Sequence, residues 1–235
     1  MYGLNAVAFV FFCCINLIAC RLCKCAEPVR KKLLTSLCIA LLALNLIRYG
    51  ILFPFVDGVV CIPAEFSTVA YFAVPTILLL GRRKLYSWAA YSGLMAGFFY
   101  YLGLIAAGGP LYASSAPRDV YISMFCHGSI YLCGFVALGT EVFRAKDAPR
   151  LALGVAAVAV RALIVRPLVH GSEGMLIYIL LDAVCVKRLL PESIWNFALP
   201  IYYIAIALFV LLTIRGFFRK NQRQYHRFAT AAAAA

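Results

Sequence analysis

The chain has 235 residues, 65% of them hydrophobic, and a mean hydropathy of +0.92. Water-soluble domains average about 45–50% apolar residues, so this composition excludes a soluble globular protein and predicts a polytopic membrane protein. The net charge of +13 does not indicate nucleic-acid binding, because the basic residues are grouped in short segments between apolar runs, as in the cytoplasmic loops of membrane proteins.

Seven apolar segments are predicted to cross the membrane as helices. In chain order they cover residues 3–20, 33–55, 62–80, 86–107, 120–142, 151–169 and 196–217. Several approach the ~20 residues that a helix needs to cross the hydrocarbon core. The pattern predicts an all-α helix bundle forming a single transmembrane domain over 1–228. Residues 229–235, which end in AAAAA, are interpreted as a tail or an expression remnant.

Lysine and arginine set the predicted orientation. Of the 22 such residues, 16 lie in four segments, 21–32, 81–84, 144–150 and 215–227, which hold five, three, three and five. With seven spans, all four segments fall on one side, which the positive-inside rule assigns to the cytoplasm. We therefore expect the N-terminus outside and the C-terminus inside, in a bacterial cytoplasmic membrane.

Residues 175–194 do not fit a spanning helix. Their unbroken apolar part is short, and Asp182, Lys187 and Arg188 interrupt it. The segment is predicted to form a re-entrant or interfacial helix on the outer side, before the last span.

Charged residues inside the predicted spans point to a polar layer. Such side chains are costly in lipid and usually face a protein interior or an aqueous cavity. Counting ~1.5 Å per residue from the outer ends of the spans places Arg48, Glu65, His127 and Arg161 in the outer half of the bilayer. We predict that the four converge on one cavity. In it Arg48 and Glu65 would pair, and Arg161 would bind an anion or pair with Asp182.

Further polar residues are assigned to the same cavity from helix periodicity. Asn45 lies one turn before Arg48, and Ser123 and Tyr131 lie one turn on either side of His127, on one helix face. A plainer alternative exists for the histidine, since a lone intramembrane histidine is often a hydrogen-bonded packing residue.

Three short motifs in the sequence suggest a family resemblance. They are Pro63-Ala64-Glu65 at the start of the third span, FCHGSIYL at 125–132, and a segment at 174–204 with a proline before the last span. Together they resemble the YwaF-like bacterial integral membrane proteins, a family similar to a eukaryotic multi-span phospholipid acyltransferase. The resemblance covers about 60–217 and implies a protein that handles lipids.

The resemblance also implies what this chain lacks. The acyltransferase has a cysteine nucleophile in a Pro-Cys-His motif, where this sequence has Ala64 and Glu65. Alanine has no nucleophilic atom, so cysteine-based acyl transfer at that position is excluded. Glu65 and His127 are left as a candidate acid–base pair, and whether the chain is an enzyme stays open.

Two functions are therefore expected. The first is binding or modification of a membrane lipid or other small anionic amphiphile. The alternative is a small-solute transporter, or the substrate-binding membrane subunit of one. No cofactor or metal site is predicted, because the only tight cysteine cluster, Cys20, Cys23 and Cys25, lacks a nearby fourth ligand. A protein partner or a homo-oligomer is compatible with either function.

Overall fold

The computed structural model describes residues 3–52, 55–56, 59–60, 65–111, 117–165 and 183–233. Their long helices are α1 (Leu4–Leu22), α2 (Glu27–Ile47), α3 (Phe66–Leu79), α4 (Tyr86–Leu111), α5 (Pro117–Thr140), α6 (Ala148–Val165) and α8 (Trp195–Ala233), and the six-residue helix α7 (Val184–Leu189) lies before the last of them. Each of the seven predicted spans corresponds to one of the long helices. The predicted all-α architecture is confirmed.

Six helices of the described part are long and apolar enough to cross a membrane. The exception among the long helices is α3, whose 14 residues extend about 21 Å, less than the ~30 Å hydrocarbon core. The chain is thus a membrane protein by helix length and composition.

The second span differs in detail from the prediction. It was expected to be helical to residue 55, but α2 ends at Ile47 and continues as a π-helical turn, Arg48–Leu52. Two short strands follow, β1 (Phe55–Val56) and β2 (Val59–Val60), paired antiparallel with Phe55 opposite Val60. Hydropathy does not distinguish these conformations, because it reports only that the residues are apolar.

The α4–α5 pair forms the centre of the bundle. Gly93 and Gly97, spaced four apart, lie directly against the α5 backbone: a Cβ on Gly97 would stand 2.8 Å from the carbonyl oxygen of His127, and one on Gly93 would stand 2.6 Å from that of Ile130. Small residues at this spacing allow two membrane helices to approach closely. One turn beyond Gly97, this approach brings Tyr100 over the ring of His127.

The four basic segments lie together at one end of the bundle, which we call the basic end. Gln224 Nε2 lies 3.3 Å from Cys23 Sγ and the Arg30 guanidinium lies 4.0 Å above the Phe228 ring, so the first and last basic segments are in contact. Arg83 Nε lies 3.4 Å from Glu141 Oε1, which is three residues before the third segment.

Helix α8 continues well beyond the predicted span, which ends at residue 217. Its last third is amphipathic, with Asn221, Gln224 and Phe228 buried and the intervening basic residues exposed. Asn221 accepts a hydrogen bond from the Phe143 amide (2.8 Å) and donates to the carbonyl oxygens of Leu138 (2.6 Å) and Glu141 (2.8 Å). These bonds satisfy backbone groups at the C-terminal end of α5, which no helical partner can reach.

The segment predicted as a re-entrant or interfacial helix is described from residue 183 onward. Helix α7 and a 3₁₀ turn, Glu192–Ile194, precede α8. The Trp195 indole donates to the carbonyl oxygen of Leu190 at 3.0 Å, and the Lys187 ammonium lies 5.8 Å from the Trp195 ring. The described part of the segment is therefore a short helix followed by a turn.

Candidate functional site

His127 lies at the junction of α3, α4 and α5, with 5% of its surface exposed. Its Nδ1 is 2.8 Å from the carbonyl oxygen of Ser123, and the Tyr71 hydroxyl oxygen is 2.6 Å from Nδ1 and 3.0 Å from Nε2. A carbonyl oxygen only accepts, so the Ser123 contact favours a hydrogen on Nδ1, and the Tyr71 hydroxyl lies within hydrogen-bond distance of both ring nitrogens.

Two aromatic rings enclose the imidazole. Tyr100 stacks on it with ring centres 3.6 Å apart and planes 7° from parallel, and Tyr71 meets it edge-on at 5.1 Å. Both ring nitrogens of His127 therefore have hydrogen-bond partners within the bundle. The geometry is that of a hydrogen-bonded packing residue, which is the plainer of the two interpretations of the sequence.

The other two members of the polar stripe on α5, Ser123 and Tyr131, make separate contacts. Ser123 Oγ lies 3.5 Å from His127 Nδ1, within the same helix. Tyr131, one turn past His127, instead donates to Asn16 Oδ1 on α1 at 3.1 Å. The shared face predicted from the four-residue spacing is present, but its polar atoms make separate contacts, one within α5 and one with α1.

Asn45 is fully buried between α2 and α5. Its Nδ2 donates to the carbonyl oxygen of Leu41 at 2.8 Å and lies 3.7 Å from Cys126 Sγ. Its Oδ1 has no hydrogen-bond partner among the described residues. Asn45 thus contacts Cys126, the residue next to His127, so the predicted site residues Asn45 and His127 lie near one another.

The two charged residues predicted to pair lie at helix ends. Arg48 begins the π-helical turn, with its guanidinium 5.5 Å from the Tyr49 ring. Glu65 holds the N-cap position of α3, where its carbonyl oxygen accepts from the Val69 amide and the Thr68 hydroxyl, each at 2.9 Å. The Arg48–Glu65 pair stays a prediction, and Pro63, Ala64 and Asp182 lie outside the described residues.

Arg161 lines a cavity of about 310 Å³ between α3, α4 and α6, which we call the α3–α4–α6 cavity. Its lining consists of two long basic side chains besides Arg161, several apolar residues and a serine: Ile77, Lys84, Leu85, Ser87, Trp88, Arg150, Gly154, Ala157, Val158 and Arg161. None of the other predicted site residues is in this lining. The structure groups Arg161 with Lys84 and Arg150 of the basic end.

The sequence contains a pattern that predicts this grouping, although counting residues from the outer end of the span did not reveal it. Arg150, Gly154, Ala157, Val158 and Arg161 recur at three- and four-residue spacing and so form one stripe along α6. In addition, side chains on a helix lean toward its N-terminus. A long arginine side chain therefore reaches about one turn toward the basic end from its own Cα.

The electrostatics and shape of the cavity suit an amphiphilic anion. Three cationic side chains and no acidic one line it, although Arg150 Nη1 also contacts Asp147 Oδ1 at 3.3 Å. The walls between the cations are largely apolar, and the Trp88 indole packs directly on Gly154. Within the described part of the chain, no group of three or more His, Cys, Asp or Glu residues could hold a metal ion.

Comparison with known proteins gives no match, since no family model, curated protein or solved structure is significantly similar to this chain.

Proposed function

We propose that this membrane protein binds a lipid or another anionic amphiphile in the α3–α4–α6 cavity. The observation that carries the proposal is the lining itself, in which Lys84, Arg150 and Arg161 surround apolar walls. Arginine pairs bidentately with phosphate or carboxylate, and lysine adds a compact positive charge.

Head-group contacts would supply most of the selectivity. The tail of an amphiphile leaves one apolar medium, the bilayer, for another, the cavity wall, so its transfer contributes little free energy. A charge-assisted hydrogen bond to an ionised group contributes roughly 1.5–3 kcal/mol. The protein should therefore distinguish anionic from zwitterionic lipids more strongly than it distinguishes chain lengths.

We propose further that the basic end faces the cytoplasm, with the N-terminus outside and α7 in the outer interfacial or re-entrant region. The clustering of 16 Lys and Arg residues at one end supports this orientation through the positive-inside rule. In a bacterial cytoplasmic membrane the cavity would then open near the inner leaflet. That location differs from the outer-half cavity expected from the depth of Arg161.

The resemblance to YwaF-like proteins fits this proposal only at the level of lipid handling. An acyltransferase-like relative without the cysteine nucleophile would retain a lipid site. Catalysis by His127 and Glu65 gains no support from a specific observation, because the described contacts of His127 are with Tyr71, Tyr100 and Ser123. Transport of the bound anion across the membrane is the alternative function of the same cavity.

Native mass spectrometry in nanodiscs of mixed anionic and zwitterionic phospholipid tests the proposal. We expect wild-type protein to retain an anionic lipid, and Arg161→Ala to lower the bound fraction about tenfold, the equivalent of 1.4 kcal/mol. Arg219→Ala is the matched control, since Arg219 is an exposed arginine of the basic end outside the cavity lining. Equal retention by all three proteins, or equal retention of both lipid classes, would refute the proposal.

A further inference from the structure

Two cysteine thiols meet between α2 and α5. Cys38 Sγ and Cys133 Sγ are 3.8 Å apart, and the two residues are 1% and 0% exposed. The S–S bond of a disulfide is about 2.03–2.05 Å long. A further approach of less than about 2 Å would therefore bring the sulfur atoms to bonding distance.

The pair lies deep in the apolar bundle. Cys38 is eleven residues into α2 and Cys133 is seven residues before the end of α5, so at 1.5 Å per residue they lie roughly 16 and 10 Å from the basic end. Their neighbours one turn away, Leu41 and Ala137, are also fully buried. Hydrophilic thiols and oxidants on either side of a membrane have no aqueous path to such a position.

Metal binding and disulfide formation differ in the net charge that they leave at the cysteine pair. A soft metal ion such as Cu(I) would be held by two thiolates and would leave one net negative charge in the apolar core. An isolated charge there is strongly unfavourable. A disulfide is neutral, as are the two thiols from which it forms. The surroundings therefore favour oxidation over metal binding.

We propose that Cys38 and Cys133 form an intramembrane redox site, which a lipid-soluble quinone oxidises to a disulfide. Two S–H bonds break and one S–S bond forms. The two hydrogen atoms, as two protons and two electrons, pass to the quinone and reduce it to the quinol. Reactants and products are all neutral, so the conversion leaves no charge in the bilayer core.

The bond would join α2 to the central helix α5 across 95 positions of sequence. Since α5 carries His127 and packs against α4, the cross-link would fix α2 to the rigid centre of the bundle. This proposal does not depend on the function proposed for the α3–α4–α6 cavity.

The test uses the full-length protein in nanodiscs, treated with a short-chain ubiquinone analogue or, as the control, with the corresponding quinol. The sample is denatured in the presence of excess maleimide and digested, and the peptides are identified by mass spectrometry. We expect a linked peptide pair containing Cys38 and Cys133, lighter by two hydrogens than the two thiol peptides, only after quinone treatment.

Two variants sharpen the outcome. Cys133→Ser should abolish the linked peptide, whereas Cys126→Ser, which removes a buried thiol two turns away on the same helix, should leave it unchanged. The proposal is overturned if Cys38 and Cys133 both carry maleimide after quinone treatment. It is equally overturned if the quinone links other cysteines in their place, or if the link forms with a water-soluble oxidant and not with the quinone. Wild-type protein alone gives these results, so they do not depend on the folding of either variant.

Discussion

The cluster around His127 and the α3–α4–α6 cavity are both polar regions of a membrane bundle, but they are built differently. His127 has a partner for each ring nitrogen and an aromatic ring against its face. The cavity instead has largely apolar walls, with Lys84, Arg150 and Arg161 among its lining residues. A polar group whose bonding capacity is filled inside the bundle stabilises the fold. Basic residues beside apolar walls suit a ligand that has both an anionic and an apolar part.

The largest effect should come from separating the helices that hold the histidine cluster. Gly97→Leu places side-chain atoms against the His127 carbonyl oxygen and the Tyr131 backbone, neither of which can move independently of α5. Overpacking typically costs 1–3 kcal/mol, and we expect about 3 kcal/mol or more here because the obstacle is backbone. Thermal unfolding in detergent measures this. Gly103→Leu is the control, as a Cβ on Gly103 meets nothing within 4 Å.

His127→Ala tests directly whether the cluster is structural. The substitution removes the stacking contact with Tyr100 and leaves the buried Tyr71 hydroxyl without its acceptor. We expect a loss of about 3 kcal/mol of unfolding free energy, from the lost packing and the unsatisfied hydroxyl. Anionic lipid binding by the folded fraction should persist. A variant as stable as wild type but unable to bind lipid would reverse the roles assigned to the two regions.

Asn221→Ala tests how firmly α8 is held against the end of α5 at the basic end. It removes three hydrogen bonds that connect α8 to the C-terminal end of α5. The expected loss is about 2 kcal/mol, since buried backbone groups lose their partner. Limited proteolysis should then cleave earlier in the last third of α8. The control is Gln222→Ala, at the exposed residue next to Asn221, which should leave both stability and cleavage unchanged.

The smallest effect is expected at the exposed edge of the cavity. Lys84 is exposed to solvent, so Lys84→Ala should reduce anionic lipid binding only about twofold to fivefold, and less at high salt, where exposed charges are screened. Lipid titrations at 0.1 and 1 M NaCl measure this. A salt-independent loss larger than that of Arg161→Ala would mean that the head group is held differently.

The sequence by itself determined the membrane class and the seven helical segments. These properties depend on local hydropathy, which is readable without knowing which helices touch. The extension of α8 was less apparent, although Asn221, Gln224 and Phe228 already recur at helical spacing.

Only the tertiary structure decided which side chains meet. Arg161 counts as an outer-half residue along α6, yet it lines a cavity with Lys84 and Arg150 of the basic end. The sequence likewise did not reveal the contact between Cys38 and Cys133 or the close approach of α4 to α5. Contacts between helices depend on the rotation of each helix about its axis and on the crossing angle of the pair. Hydropathy along a single helix fixes neither, and in lipid it does not distinguish a face that packs from one that faces acyl chains.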